Sequence, residues 1–147
     1  NHAGAGLVTR EALHRSGWSM ELEGIFEMTR CLLIDEDSAE CRKLKMMLDG
    51  LGLDTAQAAK SDEALQYCND NAPDVVMMSA AGSRPKDFVR KLRRSVAGKK
   101  PVVFLYAETP DTELIGHSIL QGAADVLMKP FDRDILQFKL RQAGILN

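Results

Sequence analysis

Residues 31–37 read Cys-Leu-Leu-Ile-Asp-Glu-Asp: four apolar side chains in a row, ended by three acids. A surface helix would break such a run with polar residues, and a half-exposed strand would alternate. A short continuous apolar run is the mark of a strand buried on both faces. The same signature returns in Asp74-Val-Val-Met-Met78 and in Pro101-Val-Val-Phe-Leu-Tyr106, and a shorter version covers 124–128. Strands of this kind belong to a parallel sheet with helices on each side.

The segments between the runs carry helical spacing. Ser38 is placed to cap a helix bearing Cys41, Leu44, Lys45, Met47 and Leu48, which Gly50 and Gly52 close. Residues 54–58 read as a shorter, more polar edge strand. Ser61-Asp-Glu-Ala64 opens a second helix with acids in its first turn, where they suit the helix dipole. Ala64, Leu65 and Cys68 face inward, and Asn71-Ala-Pro73 ends it. A third helix is expected over 86–96, with Phe88, Val89 and Leu92 inward. Thr109-Pro110 reads as a cap and first helical residue of a fourth, running to Gln121. A fifth is expected over 131–143. Strand and helix alternate five times with short connections.

Composition limits the task. Of 147 residues, 45% are hydrophobic and only 5% aromatic, so the core is aliphatic. The net charge of −2 gives no case for nucleic acid. No stretch of about 18 apolar residues is present to span a membrane. Cys31, Cys41 and Cys68 are odd in number and lack CxxC spacing, which fits a reducing, cytoplasmic setting and buried, inert thiols. No His/Cys/Asp set has metal spacing, and His117 reads as a surface residue. Met46, Met47, Met77 and Met78 read as core filler. Residues 1–27 differ from the rest. They open Gly/Ala-rich, allow a short helix over 9–15, and then carry Trp18, Met20, Leu22, Ile25 and Phe26. They read as a leader or vector-derived segment before a regular unit at 28–147.

In an open parallel sheet, ligands gather at the carboxyl ends of the strands. There the sequence places Asp35, Glu36 and Asp37, then Ser79, Tyr106 and Lys129. Carboxylates facing a lysine can hold a divalent cation through oxygen. No glycine-rich phosphate loop follows the first strand, which argues against ordinary mononucleotide binding.

Four motifs, taken in order, resemble the CheY-like receiver domain of bacterial response regulators. They are the acidic pair after strand one, Pro73-Asp74 opening strand three, Gly122-Ala-Ala-Asp125 before strand five, and Lys129-Pro-Phe131. The resemblance covers residue 28 to the end. The stretch Phe131-Asp-Arg-Asp-Ile135, with Gly144-Ile-Leu146, is similar to single-domain members of alphaproteobacterial type. It implies a flavodoxin-like α/β three-layer sandwich, with a five-stranded parallel sheet of order 2-1-3-4-5 and five helices. The family's chemistry is phosphoryl transfer from a histidine kinase to an aspartate ending strand three. Magnesium bridges that aspartate and the acidic pair, and a lysine and a Ser/Thr hydroxyl hold the phosphoryl oxygens. By position, Asp35 and Glu36 match the acidic pair and Lys129 the lysine.

Two further positions depart from the family pattern. Ser79 stands where the phosphoacceptor aspartate is expected; Asp74, about 17 Å away by strand rise, is no substitute. Tyr106 stands where a small hydroxyl residue is expected, and its ring would take phosphoryl space. Val126, at a position often aromatic, is a weaker departure. The resemblance thus implies a degenerate, non-enzymatic receiver that works by protein–protein contact without phosphorylation. Asp35 and Glu36 would hold magnesium weakly at best, with no other cofactor. An ion-pair network joining Asp35, Glu36 and Lys129 is favoured over a metal site. The expected partner is a signalling protein such as a histidine kinase, phosphotransferase or chemotaxis or motility component. It would meet the 109–143 face, which also suits a homodimer. One alternative is a phosphorylatable receiver with a relocated acceptor. Another is an anion or second-messenger sensor built on the basic segment 84–100. That segment carries Arg84, Lys86, Arg90, Lys91, Arg93, Arg94, Lys99 and Lys100 against Asp87, and Arg84-Pro-Lys-Asp87 fits an RxxD pattern.

Overall fold

The computed structural model describes residues 28–81, 85–95, 100–109 and 111–147. The leader expected over 1–27, together with Arg84, Lys99 and Pro110, lies outside the described residues. The apolar runs become β1 (Arg30–Ile34), β3 (Val75–Ser79), β4 (Val102–Ala107) and β5 (Asp125–Met128), with the polar run as β2 (Asp54–Ala58). Between and after them lie α1 (Ser38–Gly50), α2 (Ser61–Asn71), α3 (Pro85–Ser95), α4 (Thr112–Leu120) and α5 (Arg133–Gln142). All pairings are parallel and the strand order is β2-β1-β3-β4-β5. This is the expected flavodoxin-like sandwich, with the most polar strand at an edge.

Side chains alternate between the two faces of each strand, and two cores result. Cys31, Leu33, Val75, Met77, Phe104 and Leu127 meet Cys41, Leu44 and Leu48 of α1 and Leu136 and Leu140 of α5. Leu32, Ile34, Val76, Met78, Val103 and Leu105 meet α2 through Ala64 and Cys68, and α3 through Phe88, Val89 and Leu92. Helix α4 is held lightly, since Ser118 is its one fully buried side chain.

Helix starts depart from expectation in a consistent way. Asp37, not Ser38, caps α1, its carboxylate accepting from the Ala39 and Glu40 amides at 3.0 and 3.2 Å. Asp111, not Thr109, caps α4, accepting from Leu114 N, and Asp132 caps α5, accepting from Ile135 N. A carboxylate satisfies the orphan amides and the positive helix end together, so nearby Ser and Thr are bypassed. Helix α2 runs as expected and ends at Ala72, whose φ of +46° takes the chain out before Pro73. Of the methionines expected in the core, Met77 and Met78 are fully buried and Met47 packs at its margin. Met46 is the exception at 71% exposed, because its helical neighbours Arg42, Lys43, Asp49 and Gly50 all face solvent. All three cysteines are buried and unpaired. Among the described residues no helix is long and apolar enough to cross a membrane.

Two glycines give opposite expectations for alanine. Gly122 has φ +117°, and a Cβ there would come within 2.6 Å of the Arg93 guanidinium folded over it. Gly116 lies inside α4, with open space around its absent side chain. Gly122→Ala should lower stability by about 1–2 kcal/mol. Gly116→Ala should raise it by about 0.5–1 kcal/mol. Paired urea denaturation curves test both signs.

Candidate functional site

Strand alternation aims the site. Asp35 follows Ile34 and shares the parity of Cys31 and Leu33, so it projects to the α1/α5 face. Ser79 and Tyr106, paired in register across β3 and β4, share the parity of Met77 and Phe104. Lys129 lies two residues beyond Leu127 and shares its face. Four of the five predicted pocket residues therefore point to one side of the sheet at its carboxyl end. Glu36, of opposite parity, is exposed on the loop.

Tyr106 dominates the place where these side chains meet. Its ring is 1% exposed and packs in the α1/α5 core, edge-on to Phe131 with ring centroids 6.5 Å apart. Its hydroxyl donates to Asp35 Oδ2 at 2.6 Å. The other carboxylate oxygen, Oδ1, accepts from the Asp37 amide at 2.8 Å. Burial, and then the bond to Asp35, push the phenol well above its ordinary ionisation range, so it stays a donor. Ser79 Oγ accepts from Ala81 N at 3.2 Å, a local turn contact that uses the hydroxyl on its own backbone.

Lys129 is turned away from the acidic pair. Its ammonium sits 5.0 Å from the centre of the Tyr106 ring and donates to Glu40 Oε1 of α1. Lys43 donates to the other Glu40 oxygen at 3.2 Å. Hydrogen bonds from Lys129 and then Lys43 hold the Glu40 carboxyl below its usual range. The expected network of Asp35, Glu36 and Lys129 is corrected accordingly. Asp35 is satisfied by a phenol and a backbone amide, and Lys129 by a carboxylate one helical turn along. Glu40 was not singled out from sequence. It reads as an ordinary first-turn acid, and only the packing of α1 beside the β5–α5 loop makes it the lysine's partner.

The donor set decides whether a divalent cation suits this pocket. Magnesium needs oxygen ligands in near-octahedral array, with carboxylates supplying charge. Both Asp35 oxygens are already engaged, Glu36 is exposed, and Ser79 supplies a neutral hydroxyl. Among the described residues no group of three or more His, Cys, Asp or Glu is placed to hold a metal ion. The residues present do not fit a resident magnesium.

Of the basic segment, Arg90, Lys91, Arg93 and Arg94 are exposed on α3. Arg90 reaches Asp87 at 3.4 Å, and Arg93 lies against the Gly122 turn. Arg90 thus has a surface ion pair within its own helix, and Arg93 lies beside Gly122 while staying exposed. The buried thiols behave as expected from packing: burial raises Cys31 and Cys41, and takes Cys68 to about 11.

Tyr106→Phe keeps the ring and removes the donor to Asp35, which should cost about 1–3 kcal/mol. The pH dependence has a definite sign. An ordinary phenol ionises near pH ~10, and the folded value lies higher. The Tyr106 contribution is therefore complete below that pH and is lost as pH rises above it. The stability gap between wild type and Tyr106→Phe should narrow on that limb, as read from denaturation at stepped alkaline pH.

Known proteins share this arrangement of strands. The response regulator receiver domain family matches residues 31–141. The DNA-binding response regulator MtrA of Mycobacterium tuberculosis is 32% identical over 114 residues, covering 76% of this chain and 49% of MtrA. The two-component response regulator ORR27 of rice is 26% identical over 125 residues, covering 83% of this chain and 20% of ORR27. The chain therefore spans half or less of the length of these relatives. Among solved structures, a receiver domain from Bermanella marisrubri superposes with a TM-score of 0.72 at 21% identity. It covers 79% of this chain and 98% of its own. The chemotaxis protein CheY4 of Vibrio cholerae gives 0.71 at 21% identity, covering 78% and 98%. Receiver domains are signalling modules that meet histidine kinases and phosphotransfer proteins and commonly bind magnesium at their phosphorylation site. With the matched residues and strand order in agreement, this chain belongs to the response regulator receiver domain family of two-component signalling.

Proposed function

We propose that the chain is a degenerate receiver that lacks the phosphoacceptor aspartate and signals in the cytoplasm through phosphorylation-independent contact with a protein partner. The observation that carries this reading is the buried Tyr106 ring with its hydroxyl on Asp35. A phosphoryl group at the end of β3 needs a carboxylate to receive it, and charge-neutralising groups free to gather round it. Here the acceptor position is Ser79. A serine hydroxyl cannot form an acyl phosphate, and among the described residues its oxygen is engaged by the Ala81 amide rather than by a base. The acidic partner Asp35 is held by a phenol, and Lys129 is drawn to α1. Any magnesium at Asp35 and Glu36 is bound weakly, because both Asp35 oxygens are engaged and Glu36 is exposed on the loop. Free, buried cysteines suit a reducing compartment.

The surface that supports a partner is the 109–143 face. Leu120 is 83% exposed and Phe138 60%, with Ile119 and Ile135 beside them in sequence on α4 and α5. Lys139 of α5 binds Asp125 of β5 at 2.6 Å, fastening that helix to the sheet edge. Exposed apolar side chains on a helix pair are the raw material of a docking surface. The partner is a signalling protein of the two-component class, or a second copy of this chain. The basic α3 face supports the anion-sensor alternative less well, because its arginines are solvated and Arg90 already has a carboxylate partner in Asp87.

The experiment is an amide NMR spectrum of the full chain before and after beryllofluoride with magnesium. The reading expects no change beyond that from magnesium alone. A two-state shift centred on Ser79, Tyr106 and Lys129 would show a working phosphoryl pocket and overturn it.

A further inference from the structure

A cavity of about 440 Å³ opens between α1 and the loops that follow β4 and β5. Its apolar lining comes from Leu44, Met47, Tyr106, Pro130 and Phe131. Its charged lining comes from Glu40, Lys43, Glu108 and Lys129. The size is that of a small-molecule site, and the make-up follows the usual pattern of an apolar wall with a few converging polar groups.

The charged groups have a specific arrangement. Lys129 and Lys43 approach one carboxylate, that of Glu40, one ammonium on each oxygen. The pocket thus already displays a carboxylate clamped between two ammonium groups beside an apolar wall. Among the described residues these two contacts hold the Glu40 carboxylate: the Lys43 side chain is 74% exposed, and those of Lys129 and Glu40 are 21% and 31% exposed. It is a surface side chain able to swing out. The Lys43 pair is surface-exposed and worth little, so an incoming carboxylate has to take over chiefly the Lys129 contact.

We propose that this cavity is a binding site for a small monocarboxylic acid with a compact apolar body. The acid's carboxylate takes the place of Glu40 between Lys43 and Lys129, and its body lies on Met47, Phe131 and the exposed margin of Leu44. Charge selects among anions. With Glu40 displaced, two lysines against Glu108 leave one net positive charge in the lining, which suits a single negative charge and disfavours a dianionic or polyphosphate ligand. Three of the cavity's lining residues, Lys129, Pro130 and Phe131, fall within 109–143, while the exposed Leu120 and Phe138 of that face do not line it.

The test is an amide NMR titration of the full chain with phenylacetate, run beside phenethylamine and 2-phenylethanol. A ligand of this size should bind wild type with a Kd on the order of 1 mM. Shifts should fall on Leu44, Met47, Lys129 and Phe131. Glu40→Gln removes the internal competitor and should tighten phenylacetate binding about tenfold. Met47→Trp fills the wall from a half-buried position and should abolish binding while the remaining amide pattern is kept. Three results overturn the proposal: no saturable shift in Glu40→Gln, equal response to the alcohol, or preference for the amine. The last would make the glutamates the recognising groups.

Discussion

The hydrogen bond from the Tyr106 phenol to Asp35 joins residues 71 apart in sequence and reaches past β3 to tie the end of β4 to the loop after β1. It depends on strand alternation: only side chains of one parity reach the α1/α5 side of the sheet. Once Tyr106 has that parity, its ring must enter the core beside Phe131, and its hydroxyl must find a polar partner there. Asp35 is that partner. The carboxylate gains a donor, and a buried phenol avoids going unsatisfied. The consequence reaches Lys129, whose ammonium lies against the outer side of the same ring and pairs with Glu40 on α1.

The departures at Ser79 and Tyr106 are chemically connected. With a serine ending β3, no negative charge at that position calls for a lysine or a metal. A large neutral side chain can then settle over the acidic end of β1 without a conflict of charge. What is left is a receiver scaffold in which Tyr106 is bonded to Asp35 and Lys129 to Glu40. The light attachment of α4, with Ser118 as its one fully buried side chain, leaves the 109–143 face with apolar side chains turned outward.

Much of this was legible in the sequence because the strands are buried on both faces. Cys31 to Ile34, Val75 to Met78 and Val103 to Tyr106 are continuous apolar runs, so strand positions, and with them the placing of Asp35, Ser79, Tyr106 and Lys129 at the strand ends, follow from counting. Helix starts were less legible. Asp37, Asp111 and Asp132 each stand near residues that also cap, and the choice depends on where the chain leaves the sheet. Glu40 was invisible for a different reason. A first-turn acid on a surface helix looks the same whether it meets water or a lysine arriving from 89 residues away. Met46 was misplaced because an apolar residue next to an inward one can fall on the solvent side of a helix.

The central claim is that a missing acceptor and a filled pocket together close this receiver to phosphoryl chemistry. Its most direct test is acid-labile phosphoryl incorporation from acetyl phosphate and magnesium into Ser79→Asp and into Ser79→Asp/Tyr106→Thr. The account predicts little incorporation in the single variant, where the phenol still holds Asp35. It predicts clear incorporation in the double variant, where the phenol no longer holds Asp35 and three carboxylates are free to gather round a metal. Equal labelling of the two variants, or labelling of the unaltered chain, would contradict it.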